Sequence, residues 1–230
     1  MNRLLLAAPL LAASLLAATV PALGQMALPP NTGNTFKDVS LIKPPAGDKI
    51  AILKFEDLEC PACAHAYPIV HDAAARYKIP VVRHDFPLKM HIWSRDAAIT
   101  ARYLQDKVSP ATADEFRSAV FANQTAIASK DDLNNFTRKF FASHKLNMPF
   151  VMDPSGLFSA EVNADYTLGE RIGISQTPTI WVVSQKQWIQ VTDMSQLYTA
   201  IDQIESQVAQ DTPAKAASSS KLRRPTTLQK

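Results

Sequence analysis

The chain has 230 residues, 47% hydrophobic and 20% charged, the make-up of an ordinary globular protein with room for one substantial domain or two small ones. The formal net charge is +3, but residues 211–230 contribute +4 (Lys215, Lys221, Arg223, Arg224 and Lys230 against Asp211) and Arg3 one more, which leaves the body at −2. The basic excess belongs to the ends, so the charge carries no footprint for nucleic acid.

Residues 1–24 read as a secretory signal. Arg3 gives a positive start, Leu4 to Val20 form an Ala/Leu-rich apolar run, and Ala22-Leu23-Gly24 offers the small residues a signal peptidase reads. The alternative, an uncleaved anchor, is opposed by Pro9 and by a run too short for a full span. No cysteine lies nearby to carry a lipid, and the mature chain is expected to begin near Gln25 in an oxidising compartment, the periplasm.

The two cysteines sit three apart, as Cys60-Pro61-Ala62-Cys63. As a structural brace such a bridge would close almost no loop and so contribute little stability. Structural zinc needs four ligands, and there is no second cysteine pair. Redox chemistry is what those two exclusions leave.

Residues 25–48 hold Pro29, Pro30, Pro44 and Pro45 and read as an extended lead-in, with room for one strand in the apolar run Val39–Ile42. Ile50 to Phe55 reads as a strand buried on most of its surface. Pro61 suits the first turn of a helix that runs to Tyr77 with a kink at Pro68. Val81 to Phe86 is a second strand. Ser94 to Lys107 is a helix with Ala97, Ala101 and Leu104 on one face. Ser109 with Pro110 caps and opens another helix through Phe116, Val120 and Phe121. Ser129 and Asp132 signal the start of a third, carrying Leu133, Phe136 and Phe140. Asp153-Pro154 begins a fourth, which Gly173 ends in a left-handed cap. Thr179–Val183 and Gln187–Val191 flank a polar turn as a hairpin. Asp193 caps a last helix whose Leu197, Ile201, Ile204 and Val208 form one apolar stripe. Residues 211–230 lack periodicity and are expected to be a disordered basic tail. The order describes one α/β domain over residues 49–210, with a helical subdomain inserted at about 92–172.

The segment Phe55-Glu56-Asp57-Leu58-Glu59-Cys60-Pro61-Ala62-Cys63 resembles the active-site region of DsbA-like disulfide oxidoreductases of the thioredoxin superfamily. Three further features carry the resemblance: Pro68, five residues past the second cysteine; Phe86-Pro87-Leu88 with His91 ahead of the Ala-rich helix; and Gly173 to Thr179, which looks like the loop bearing the family's cis-proline. The resemblance covers residues 37–208. It implies a thioredoxin fold with the helical insertion, activity without a cofactor, and thiol-bearing protein substrates. It also implies a monomer reoxidised by a quinone-linked membrane protein, with Thr177 and cis-Pro178 holding substrate beside Cys60.

Position on the helix assigns the two sulfurs. A cysteine at a helix N-terminus meets unpaired N–H groups and the positive end of the helix dipole, which favour thiolate. Cys60 is therefore expected to be the exposed nucleophile and Cys63, one turn inward, the buried resolving thiol. Two departures from the family bear on tuning. Lys54 stands where many members carry a buried acid, although Glu56, Asp57 and Glu59 lie nearby, and Ala62 stands where strong oxidases carry histidine. Pro61 is kept. His65 and His91 are candidates to touch the site, while His71, His84 and His144 read as surface or packing residues and Trp93, Trp181 and Trp188 as core or groove. Rival readings are a reductase or isomerase branch, a copper carrier using the dithiol and a histidine, and a peptide-binding chaperone. The isomerases of the family carry an N-terminal dimerisation domain, which the short stretch between Gln25 and Lys49 cannot build.

Overall fold

The computed structural model describes residues 36–211; the signal-peptide reading and the tail reading past Asp211 lie outside the described residues, and Asp211 itself ends the last helix. After a 3-10 turn at Val39–Leu41 come β1 (Ile50–Glu56), α1 (Pro61–Tyr77), β2 (Val81–Asp85), α2 (Ser94–Lys107), α3 (Pro110–Ala122), α4 (Lys130–Ser143), α5 (Leu157–Ile172), β3 (Thr179–Ser184), β4 (Trp188–Val191) and α6 (Leu197–Asp211). The sheet order is β2-β1-β3-β4, with β1 parallel to β2 and antiparallel to β3, which in turn pairs antiparallel with β4. The parallel pair needs a crossover, which α1 supplies, whereas β3 and β4 need only the polar turn predicted for them. The apolar run Val39–Ile42 makes the 3-10 turn and no strand; Ile42 is fully buried against the sheet core.

Strand β1 is buried along its whole length because the sheet is covered on both faces. Ile50 and Ile52 pack with Val70 and Ala73 of α1 and with Ile201 and Ile204 of α6. Leu53 and Phe55 point the other way, toward Phe86, Ile172 and Trp181. Helix α5 comes so close on that side that a Cβ on Gly169 would stand 2.5 Å from the Phe86 ring and 3.1 Å from Phe55.

Helices α2 to α4 bury a second core, in which Trp93, Leu104, Phe116, Phe140 and Phe141 surround the inner face of α1 at Cys63 and Tyr67. The predicted caps hold: the Ser109 and Ser129 side chains accept from the amides of Thr112 and Asp132. The fourth helix starts later than Asp153-Pro154 suggests, at Leu157. Asp153 instead reaches over a turn to accept from the amide and hydroxyl of Ser159 at 2.8 and 2.7 Å, and Gly156 takes the left-handed backbone between them. Asp193 caps a 3-10 turn, Met194–Gln196, that leads into α6.

A buried ionic junction fastens the insertion to the sheet. Arg117 of α3 is fully buried and grips Asp85 of β2 with both guanidinium ends, at 2.6 and 3.0 Å. Arg102 of α2 binds Asp85 at 2.6 Å and also Asp165 of α5, which takes His84 Nδ1 at 2.8 Å. On β1, Glu56 receives Lys54 and Arg83, each at 2.6 Å. Asp85 is held down to about 2: burial pulls its carboxyl up, but Arg117 and Arg102 outweigh it.

Candidate active site

Chain direction places the cysteines. β1 delivers the backbone to a short loop, Asp57–Cys60, and α1 begins at once, with Cys60 as its N-cap in extended conformation and Pro61 next, where a missing N–H leaves nothing unpaired. The Cys60 carbonyl accepts from the amides of Cys63 and Ala64 at 3.0 and 3.1 Å. Both thiols are unbridged. Cys63 faces inward at 2% exposure. Cys60 was expected to be exposed, yet only 6% of it is, because the loop before β3 closes over the sulfur. Its Sγ donates to the Thr177 carbonyl at 3.2 Å, and the Thr177–Pro178 bond is cis.

The two sulfurs are electrostatically unequal. A hydrogen bond from Cys63 holds Cys60 down to about 5; burial opposes it, and the Thr177 side chain, with the amides of Cys63 and Ala62, assists. Cys63 goes the other way, pushed up chiefly by its own burial and then by giving its proton toward Cys60. The Asp57 amide, 3.5 Å from Cys63 Sγ, is the backbone donor on that side.

Lys54 and Glu56 share a face of β1 beneath α1. The Lys54 ammonium is buried, bonded to Glu56, and 5.0 Å from the centre of the Tyr67 ring. Burial lowers the lysine, with Glu56 holding it back. The charge at position 54 is thus tied to a carboxylate two residues on, and it is Glu56 whose negative charge adds to the rise at Cys63.

Asp57 and Glu59 have work that the sequence reading left unassigned. The buried Asp57 carboxylate takes the Leu88 amide and His91 Nδ1, both at 2.7 Å, and the Ser94 hydroxyl. Glu59 takes the amides of Trp93 and Ser94 at 2.7 and 2.9 Å, which serves the orphan donors at the start of α2. His91 therefore touches the loop before Cys60 through Asp57. Exposed His65 lines a groove of about 1030 Å³ beside Cys60, with Ala62, Ile69, Thr177, Pro178, Met194 and Tyr198. His71 packs at a tilt against Tyr67, His84 stacks on Phe55, and His144 pairs with Glu115; the three tryptophans are core residues. Gln124, which donates to the carbonyls of Leu58 and Cys60, escapes the sequence reading, since a polar residue in a linker gives no signal in sequence.

The sequence model of the thioredoxin family matches residues 46–203, well over half the chain. The chain belongs to the thioredoxin family. No curated protein matches it. Among solved structures it is similar to Wolbachia pipientis α-DsbA1 (14% identity, TM-score 0.59, 74% of this chain and 92% of that one). It is likewise similar to Pseudomonas aeruginosa DsbA2 (18%, 0.53, 70% and 92%) and Proteus mirabilis ScsC in a transitional conformation (15%, 0.55, 76% and 76%). At such identities the likeness is one of fold: a DsbA-like thioredoxin fold with its helical insertion. No helix among the described residues is long and apolar enough to cross a membrane, and no three or more His, Cys, Asp or Glu side chains among them converge as a metal site.

Proposed function

We propose that this protein is a thiol-disulfide oxidoreductase that transfers disulfides to exported proteins, with Cys60 as nucleophile and Cys63 as resolving thiol. The observation that carries the reading is the geometry of the pair: Cys60 stands at the N-cap of α1 with its sulfur 3.2 Å from the Thr177 carbonyl, and Cys63 is buried one turn inward, an arrangement that lowers the first thiol and raises the second. In the oxidising direction a substrate thiolate attacks Cys60 Sγ of the Cys60–Cys63 disulfide. The S–S bond breaks, and Cys63 leaves with the electron pair and takes a proton. A second substrate thiolate then attacks the substrate sulfur of the mixed disulfide and expels Cys60 as a thiolate. The substrate loses two electrons and the protein gains them. A low-pKa leaving group speeds that last step, which is the role the helix start supplies.

Thr177 and Pro178 border the sulfur and, on this reading, align an extended substrate segment, while the groove past His65 and Tyr198 receives its side chains. A quinone-linked membrane protein would restore the disulfide. The leader is removed near Gly24 and the chain works as a monomer in the periplasm; N-terminal sequencing of periplasmic material is the check. The activity test is oxidative refolding of a reduced, unfolded protein by stoichiometric oxidised chain. Disulfides and native activity should appear, and Cys60→Ala should abolish both; a Cys60→Ala variant as effective as the parent would overturn the reading in favour of a peptide-binding chaperone.

Direction depends on oxidising power. Ala62, exposed beside Cys60, has no polar group to offer the thiolate. A histidine there would add one charge-assisted hydrogen bond of about 1.5–3 kcal/mol, or roughly 30–60 mV for two electrons. Ala62→His is expected to be the more oxidising form in a glutathione buffer series. If the potential is unchanged, another group sets it, and Lys54 with its Glu56 partner is the first to test. A strongly reducing parent would favour the reductase or isomerase branch.

A further inference from the structure

We propose that Gln124 is a positioning residue for the nucleophile, fastening the carbonyls on either side of Glu59 so that the first amides of α1 stay aimed at the Cys60 sulfur. The inference rests on the reading of Cys60 as the nucleophile.

Gln124 opens the 3-10 turn Gln124–Ala126 between α3 and α4, far along the chain from the redox loop. Its side-chain Nε2 donates to the Leu58 carbonyl at 2.7 Å and to the Cys60 carbonyl at 3.1 Å. A primary amide has two N–H bonds and can serve two acceptors at once. In this short loop alternate residues face opposite ways. The carboxylates of Asp57 and Glu59 hang on the start of α2, while the carbonyls of Leu58 and Cys60 hang on Gln124. The two supports are joined, because the indole of buried Trp93, whose own amide binds Glu59, donates to the Ile127 carbonyl at 3.0 Å on the same linker. The linker carrying Gln124 is thereby held to the residue that holds the loop.

This matters for the chemistry because the Cys60 carbonyl is the first acceptor of α1, bonded to the amides of Cys63 and Ala64. A peptide plane that turns at this point re-aims the whole first turn. No side chain caps the helix there, so, after the Cys63 thiol and the Thr177 side chain, what steadies the sulfur is the placing of the backbone amides of Cys63 and Ala62. Gln124 is the side chain from outside the loop that reaches both neighbouring carbonyls, and it does so without adding charge to the site.

The test is the thiolate absorbance of Cys60 against pH, in a Cys63→Ala background and in the reduced dithiol protein, for four substitutions. Gln124→Leu keeps bulk and removes both donors; the thiolate midpoint should rise by at least half a pH unit, about a threefold loss in the thiolate equilibrium. Gln124→Glu sets an acceptor against two carbonyls and should raise it further, about tenfold. Gln124→His, which retains an N–H, should lie close to the parent. Asn123→Ala breaks a bond confined to the same turn, to the Ala119 carbonyl at 2.8 Å, and should lower thermal stability without moving the midpoint. If Leu and Glu variants titrate with the parent, Gln124 is a structural prop and the proposal falls. Should Gln124→Leu fail to fold, the Glu and His pair decides by the same readout. A parent midpoint already at the free-thiol value would overturn the function reading itself, and this inference with it.

Discussion

One face of β1 changes character half-way along. Ile50 and Ile52 sit among Val70, Ala73, Ile201 and Ile204, side chains that attract one another in no particular direction. Lys54 and Glu56, on the same face and equally buried, meet Tyr67 from α1, Arg83 from β2 and Arg117 from α3. Glu56 pairs in register with Asp85 across the parallel strands, so two carboxylates lie side by side, and Arg117 lies against both at 3.6 and 2.6 Å. Apolar burial falls off gradually when a methyl group is lost. A buried ionic junction does not, because removing one member leaves the others charged and without water. The apolar end binds the sheet to α1 and α6 with some tolerance of substitution, and the ionic end dictates where the insertion, and with it Gln124 and Trp93, must dock.

That contrast can be broken at its strong end first. Arg117→Leu keeps much of the volume but strips the guanidinium from Asp85 and Glu56, and should cost about 3–5 kcal/mol in urea unfolding. A loss below about 1 kcal/mol would mean that Arg102 and Arg83 hold the junction alone. Next comes acid. Asp85 is fully buried and its folded value, about 2, lies below the ordinary carboxylate value, as does that of Glu56. A depressed folded value contributes stability that is present above the unfolded value near pH 4 and lost as pH falls through the folded value. Asp85 alone should account for about 2.5 kcal/mol between those limits, and Arg117→Leu should flatten that part of the stability-versus-pH curve.

Lys54→Met should cost less, about 1–2 kcal/mol, since Glu56 keeps Arg83 at 2.6 Å and the Met chain still packs against Tyr67. A larger loss would identify Lys54 as the indispensable cation. The smallest effect belongs to the apolar end. Ile52→Val removes one methyl group from a fully buried position and should cost about 0.5–1.5 kcal/mol by the same measurement. If it equalled Arg117→Leu, the distinction between the two ends of β1 would fail.

What the sequence by itself determined is whatever short-range physics decides. The succession of strands and helices along the chain, the helix opened by Pro61, the caps at Ser109, Ser129 and Gly173, and the stripe on α6 all follow from residues within a turn or two of one another, as does the seat of Cys60 at a helix start. Even the late start of α5 is local, a turn in which Asp153 caps at longer reach. Tertiary structure decided the rest. It closed the loop at Thr177 over a sulfur expected to be exposed, paired Lys54 with Glu56, gave Asp57 and Glu59 to the start of α2, and brought Gln124 to a loop more than sixty residues away. A lysine, an acid or a glutamine makes no periodic pattern, and its partner depends on which elements the apolar stripes have already packed together. Those polar contacts become fixed only when burial removes water as the competing partner.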